Sequence, residues 1–393
     1  MTDMHGSTAI AGIGATEFSK KSGRSELQLA IEASKAALDD AGIDPSEVDG
    51  FVSYGMDTSP SIEVARGLGA NALTYFGMVD YGGGAACGTI MHAAMAVATG
   101  AAQTVVAYRA FNERSGARFG TALNVDGWGV DARAANYAWY LPHGLMTPAS
   151  WIAMFAQRYM HLYGATSEDF GRVAVLDRRH AAMNPAAWFY EQPITLEEHQ
   201  ASRWIAKPLH LLDCCQESDG GQALVITSLE RARDLKSAPA VIRASAQGAA
   251  YDQHSMTSFY RQDKDRALPE MGLVSDQLWD KSGLRPSDMD VAVLYDHFTP
   301  FVLTQLEEFG FCGRGEAKDF LADGNGSLDS GLPINTHGGQ LGEAYIHGMN
   351  GIAEGVRQIR GTAVNQAKGA QHVLVTAGTG VPTSALILGV DES

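Results

Sequence analysis

The segment GIDPSEVDGFVSYG, beginning at Gly42, returns as GLRPSDMDVAVLYD beginning at Gly283, an offset of 241 residues that sets Tyr54 opposite Tyr295. A second pair, AQTVVA from Ala102 and AQHVLV from Ala370, is displaced by 268, so 27 further residues separate the two landmarks in the later copy. Self-similarity at a nearly fixed offset is the signature of repeated architecture, and it restricts the chain to a fold built from two like halves. The first half reads as alternating elements: the apolar, glycine-bounded strand TAIAGIGATEF, the periodic helix SELQLAIEASKAALDDAG and the strand DGFVSYG. A second round follows in TYFGMVDYG, the turn Gly82-Gly83-Gly84, the helix AACGTIMHAAMAVATG and the strand QTVVAYRAF. Such alternation means α/β architecture. Small residues on several faces of the second helix suit a helix buried on all sides.

The charged segment SLERARDLKSAP marks the junction, giving an N-terminal half over 1–236 and a C-terminal half over 237–393. Between Asn112 and about Gln200 the rhythm fails in a stretch rich in Trp, Tyr, Met and His, including Trp128, Trp139, Tyr140 and His143. So long an excursion serves as a lid or binding subdomain, 112–200, or as a dimerisation insertion.

With 45% hydrophobic and 19% charged residues the chain is an ordinary globular protein. A formal charge of −16 argues against a nucleic-acid surface, because phosphate binding needs the opposite field. There is no run of about 18 apolar residues, which excludes a spanning helix. The start MTDMHGSTAIAGIG lacks the blocks of a signal peptide, so the expected location is the cytoplasm, with no membrane partner. Four cysteines, Cys87, Cys214, Cys215 and Cys312, show no CxxC spacing; reduced thiols and no metal are expected.

Duplicated βαβαβ halves, a helix after a glycine turn, and the segments YDHFTPFVLTQLEEFGFCGRGEAKDF and LPINTHGGQLGEAYIHGMNGIAEGVRQIRG together resemble the thiolase superfamily, over essentially the whole chain. Within it the sequence looks most like the thiolase-like lipid-transfer proteins, and among those the steroid side-chain-cleaving aldolases. The resemblance implies a thiolase fold, two halves in a five-layer αβαβα arrangement with an inserted loop subdomain.

The thiolase chemistry is missing. Counting back from Gly100 puts the family's nucleophilic cysteine, which a helix N-terminus activates, at Gly83 or Gly84. Cys87 lies one turn further in; it is either a packed thiol or the nucleophile of a shifted thiolase. The family's GHP-type histidine, six residues after a GG pair, corresponds to Tyr345 in Tyr345-Ile346-His347-Gly348. The strand end that supplies an oxyanion-hole side chain reads Tyr295-Asp296-His297-Phe298, and the last hairpin reads Thr376-Ala377-Gly378-Thr379-Gly380 without cysteine. Asp296 reads as a turn or capping residue.

Loss of the thiol removes acyl transfer but leaves enolate chemistry open, because a preorganised oxyanion hole stabilises a thioester enolate however it arises. Retro-aldol cleavage needs a proton taken from a β-hydroxyl, a stabilised enolate, and a proton returned to the α-carbon. Tyr295 and Tyr345 are the expected catalytic pair, with base and acid unassigned. A phenol of pKa about 10 is a poor base unless its phenolate is stabilised. His297, His337 and His347 are the expected neighbours for that task. The enolate oxygen would be held by His297, His347 or the backbones of Gly83, Gly84 and Gly380.

The resemblance implies a 17-hydroxy-3-oxo-pregnene-carboxyl-CoA substrate, a 17-ketosteroid of the androstenedione type and propionyl-CoA as products, and no cofactor beyond the CoA of the substrate. It also implies a homodimer joined to the OB-fold domain of a hydratase subunit as a heterotetramer. The alternatives are an acyl-CoA thiolase using Cys87 and a non-catalytic lipid-transfer or scaffold subunit. Arg109, Arg114 and Arg118 in RAFNERSGARFG form the most basic local cluster. They read as dimer-interface salt bridges or as a site for the CoA phosphates.

Overall fold

The computed structural model describes residues 4–70, 72–116, 118, 135, 137–253 and 266–392. Trp128 therefore lies outside the described residues, as does much of the first part of the 112–200 insertion.

In the first half, β1 (Thr8–Ala15), α1 (Glu26–Ala41), β2 (Gly50–Tyr54), α2 (Ser61–Leu68), β3 (Tyr75–Val79), α3 (Ala86–Ala98) and β4 (Val105–Asn112) follow one another. Helix α1 starts where the Ser25 side chain accepts the Gln28 N–H, and it stops at Gly42, whose φ of 74° only glycine adopts freely. The insertion supplies α4 (Pro148–Tyr163), α5 (Ser167–Met183), α6 (Leu196–Ala201) and a small hairpin, β5 (Trp204–Ala206) and β6 (Leu209–His210). Strand β7 (Asp219–Ser228) closes the first half, and α7 (Leu229–Ala232) leads on to β8 (Ala240–Gly248). The second half continues with α8 (Pro269–Ser282), β9 (Val291–Val293), α9 (Thr299–Glu308), α10 (Ala317–Ala322), α11 (Gly339–Gly342), α12 (Met349–Arg360), β10 (His372–Thr376) and β11 (Thr383–Gly389).

Nine strands share one sheet in the order β3-β2-β4-β7-β1-β8-β11-β10-β9. The repeat is visible in the pairing. Strands β2 and β4 are parallel while β4–β7 and β7–β1 are antiparallel, and β9, β10, β11 and β8 repeat that order and sense. The offset of 241 carries the short turn Pro45–Glu47 onto Pro286–Asp288 and the start of β2 onto the start of β9; the offset of 268 carries Val105 of β4 onto Val373 of β10. A counterpart of β3 is reduced to a single parallel bridge, Ala292 to Ile334. The two halves join through β1 and β8, where Ala9 meets Val241 and Ile10 meets Ala240.

Side chains alternate across each strand and sort into layers. Val52, Tyr54, Val105, Ala107, Val291, Val293, Val373 and Val375 face one central core, together with Ile90 and Ala94 of α3 and Ile352 and Val356 of α12. Phe51, Val106 and Tyr108 face away, against α1. Ala292, Leu294 and Leu374 pack outward against Phe155 of α4, Leu278 of α8 and Phe301 of α9. The result is the layered arrangement of helix, sheet, helix pair, sheet, helix, with α3 and α12 enclosed. The insertion helices cover the second half. Among the described residues no helix is long and apolar enough to cross a membrane.

The close contact of β1 with α1 depends on glycine. A Cβ on Gly14 would lie 2.1 Å from Ala37 N and 2.5 Å from Ala33 O. We predict that Gly14→Ala lowers stability by about 1–3 kcal/mol, the usual cost of overpacking, and shifts the urea midpoint down. An unchanged midpoint would show that strand and helix do not approach this closely.

Candidate active site

Alternation along β9 carries one step past the strand and turns Tyr295 into the central core. Its backbone is fixed on both sides: the N–H donates to Thr376 Oγ1 at 2.9 Å, and the carbonyl accepts from Gln305 Nε2 at 2.8 Å. The ring is then wedged between two glycines. A Cβ on Gly83 would stand 1.9 Å from Tyr295 Oη, and one on Gly348 would stand 2.9 Å from ring carbons Cδ2 and Cε2. Tyr345, half-buried in the loop before α12, places its hydroxyl 3.1 Å from that of Tyr295, in a bond that Tyr295 donates. The two phenols expected to act together are therefore in direct contact.

The turn Gly82–Ala85 delivers α3 to the same place. Gly378 packs against it, donating its N–H to Gly83 O at 2.9 Å, and Ser384 donates to Gly84 O at 2.6 Å. Position 84 is as closed as 83, since a Cβ there would be 2.0 Å from Pro382 O. Neither position has room for a thiol. Two of the three glycine donors expected at the enolate are already committed: Gly84 N–H to Tyr81 O at 3.2 Å, and Gly380 N–H to the buried Glu270 carboxylate at 2.9 Å. Gly380 therefore holds its own turn instead of facing the phenols.

The histidines separate into two groups. His297 stacks on Phe301 with ring centroids 4.8 Å apart and lies edge-on to Tyr295 at 4.9 Å. His347 lies 4.5 Å from the Tyr345 ring. Its φ of 49° is a strained value for a non-glycine residue, a feature that clusters at functional sites. His337 is elsewhere, on the far side of α12, with Nε2 4.0 Å from Glu343 Oε2. It belongs to a buried polar network with Glu343, Glu354 and Arg357.

Burial pushes His297 down to about 3 and His347 well below the ordinary histidine value, the latter also because Arg109 is beside it. Both rings are neutral near pH 7. A neutral ring can stabilise a phenolate by donating a hydrogen bond but not by charge; among the described residues the cation that acts on Tyr345 is Arg109. That residue is wholly buried and ion-paired with Asp57, and its Nη2 lies 3.4 Å from His347 Nδ1. It is neither a phosphate ligand nor a surface bridge. Arg114 and Arg118 pair within the chain, each with Glu217, at 3.9 and 2.7 Å.

Burial raises both phenols well above the usual tyrosine value. Cys215 and Glu113 add to this at Tyr345, while the hydrogen bond from Tyr295 and the charge of Arg109 oppose it. At Tyr295 the hydrogen bond works in the other direction and raises it further. Within the pair the hydrogen bond therefore favours loss of the proton from Tyr345 and its retention by Tyr295. Glu113, itself pushed well up by burial, and Cys215 belong to this environment. Sequence reasoning passed over both, along with Asp57. Glu113 follows an apolar strand directly, the one available hint that its carboxyl is buried.

Cys87 is fully buried, its Sγ 3.5 Å from Val375 O, and burial pushes its thiol far up. A neutral, enclosed thiol is no nucleophile. Asp296 accepts the N–H groups of Gln340 and Leu341 at 2.8 and 2.9 Å and so caps α11.

Fold and site together define a thiolase-type protein in which phenols stand where thiol and imidazole would act. Residues 252–389 match the thiolase C-terminal domain-like family. The chain is 67% identical to a steroid side-chain-cleaving aldolase from Thermomonospora curvata, covering 100% of both chains. It is 64% identical to a 17-hydroxy-3-oxo-4-pregnene-20-carboxyl-CoA lyase from Mycobacterium tuberculosis, covering 98% of this chain and 100% of the relative. The solved Ltp2-ChsH2(DUF35) aldolase superposes with a TM-score of 0.95 at 67% identity, covering 99% of each chain. The chain belongs to the family of steroid side-chain-cleaving aldolases.

The Gly83–Tyr295 contact yields a test. Gly83→Ala must displace the Tyr295 hydroxyl, and a displacement on the ångström scale costs about 100-fold in rate. Wild-type turnover in a folded Gly83→Ala variant would show that the phenol does not occupy this space.

Proposed function

We propose that this protein is a retro-aldol carbon–carbon lyase acting on a 17-hydroxy-3-oxo-4-pregnene-20-carboxyl-CoA thioester and releasing a 17-ketosteroid and propionyl-CoA. The observation that carries the reading is the hydrogen bond between Tyr295 and Tyr345 above Gly83. Tyr345, as phenolate, takes the proton of the 17-hydroxyl. The C17–C20 bond breaks, and its electron pair passes into the thioester enolate. Tyr295 delivers its proton to C20, and the proton gained by Tyr345 crosses the 3.1 Å hydrogen bond to restore the pair. Protons and electrons balance, so the step requires no oxidant, metal or added cofactor.

The enolate oxygen is held in this reading by the backbone N–H of Gly83 and by His347, with His297 bordering the Tyr295 ring. Among the described residues His297 Nδ1 makes no hydrogen bond, which leaves it for the substrate in this reading.

Assembly follows from two further features. Edge strand β3 exposes Phe76 and Met78, at 69% and 60%, and a second copy covering that edge would bury both. The relative solved with a DUF35 chain supports a partner domain of that kind for this protein. Four unpaired cysteines suit the reducing cytoplasm.

The test is mass spectrometry of products from the 17-hydroxy steroid thioester, with the partner domain present and absent. Stoichiometric ligand binding without ketosteroid, partner included, would leave a carrier or scaffold. Tyr295→Phe and Tyr345→Phe should each reduce turnover at least about 100-fold, the size of losing a positioned proton-transfer group; near wild-type rates in both would sink the mechanism. Cys87→Ala, by contrast, should keep turnover within about threefold, since burial alone defines that residue. Its inactivation together with iodoacetamide sensitivity of the wild type would point to a thiolase.

A further inference from the structure

Arg109 sits in the middle of an apolar strand, VVAYRAFN, on the face that looks into the central core. A guanidinium there is costly unless its charge and its N–H groups are met. The surrounding groups come from three elements. Asp57, in the loop after β2, forms the ion pair, and both side chains are almost fully buried, at 0% and 1% exposure. Tyr54 of β2 and Phe111 of β4 stack against the cation, with ring centroids 5.5 and 4.4 Å away. From the loop before α12, His347 turns Nδ1 toward Arg109 Nη2 at 3.4 Å, and the Tyr54 hydroxyl donates to His347 O at 2.8 Å.

This cluster has a chemical consequence at the imidazole. A guanidinium carries donors and no acceptor, so the histidine nitrogen that faces it must be the one without a proton. His347 is thereby held as its Nε2–H tautomer. The ring is neutral, and its remaining nitrogen is a donor beside Tyr345.

We propose that Arg109, locked by Asp57, is a positioning residue of the phenol pair: it selects the donor tautomer of His347 and supplies the fixed positive charge that a Tyr345 phenolate faces. The proposal rests on the retro-aldol reading given above and deepens it. Among the described residues, the titratable and charged groups acting on Tyr345 include Tyr295, Cys215, Glu113, Arg109 and His347. Near pH 7 Arg109 is the cation among them. Burial raises the Glu113 carboxyl, which disfavours a second negative charge beside the phenolate.

The sign of the pH effect follows. A base acts in its deprotonated form, so turnover rises with pH until the Tyr345 phenolate is fully formed. A neighbouring cation favours that form and places the rise at lower pH. Removing the cation moves the rise to higher pH and cuts the active fraction tenfold for each unit of movement, when assayed below it.

The experiment compares Arg109→Met/Asp57→Asn, which removes both members of the pair without stranding a buried carboxylate, with Arg109→Lys, which keeps charge but loses the planar fork. Both are measured in the complex with the partner domain. The double variant should lose at least about 100-fold in kcat with KM within threefold, and the rising limb of its pH profile should move up by about one unit or more. Arg109→Lys should lose about tenfold while its limb stays within about 0.3 unit of wild type. A limb that stays in place in the double variant, or moves as far in Arg109→Lys, overturns the proposal.

Nitrogen NMR of histidine-labelled protein supplies a readout that does not need turnover. Wild type should show His347 as Nε2–H, and the tautomer should change or average in the double variant; an Nδ1–H signal in wild type overturns the assignment. Should the double variant not fold, Arg109→Lys and the wild-type tautomer decide alone. Failure of the retro-aldol reading is separately visible, because wild type would then release no ketosteroid.

Discussion

A side chain at position 83 and a phenol at position 295 exclude one another: the Cβ of the first would occupy the hydroxyl oxygen of the second, at 1.9 Å. The whole site depends on that exclusion. At the helix start where a thiolase carries its nucleophile, this chain has removed not only the sulfur but the carbon that bears it, and the vacated volume holds the Tyr295 hydroxyl. Gly348 repeats the arrangement on the other face of the ring, and Gly378 presses the turn from behind. Close packing makes such substitutions discrete, since an interior at near-crystalline density admits one occupant or the other. A side chain at position 83 and the Tyr295 phenol are therefore alternatives for one space.

The duplication explains why these groups meet. Each half turns one face of its sheet toward the enclosed helices α3 and α12, so inward-facing residues at the ends of equivalent strands converge on the same interior. Tyr54 and Tyr295 are equivalent under the repeat, yet their tasks have diverged. Tyr54, at the end of β2, spends its hydroxyl on the His347 carbonyl and braces Arg109, while Tyr295 keeps its hydroxyl for Tyr345. One half provides the paired phenols and the other provides the buried cation. A retained pseudo-symmetry thus supports an asymmetric site.

Much of this was legible from sequence because it rests on spacing. Both offsets fall on equivalent turns and strands, and the count from the Gly338-Gly339 pair to Tyr345 finds the second phenol. Arg109 was misread because composition was weighed above periodicity: RAFNERSGARFG looks basic as a block, whereas residue-by-residue alternation from Val105 and Ala107 turns Arg109 inward. A lone arginine inside VVAYRAF is a signal of a buried ion pair, although spacing gives no hint that Asp57, 52 residues earlier, is its partner. Gly380 was misassigned for a related reason. Its N–H is spent on Glu270, a contact 110 residues away in the chain. His337 looked equivalent to His347 in one short segment, and only the intervening helix start, which separates them onto different sides, distinguishes the two.

The environment also settles what a phenol can do here. Burial alone makes tyrosine a worse base, since the phenolate loses its solvation. A dry site that requires a phenolate must return that stabilisation through fixed groups, and imidazoles that burial keeps neutral, as with His297 and His347, can contribute a hydrogen bond but no charge. Arginine is the side chain whose charge survives the same desolvation, because its own pKa lies far above the working range. The ion pair with Asp57 then sets its position, and burial raises the second carboxyl nearby, Glu113, toward its neutral form. Dryness, which sharpens every electrostatic contact, thereby favours a guanidinium as the charge beside the phenols and raises the carboxyl beside it toward its acid form.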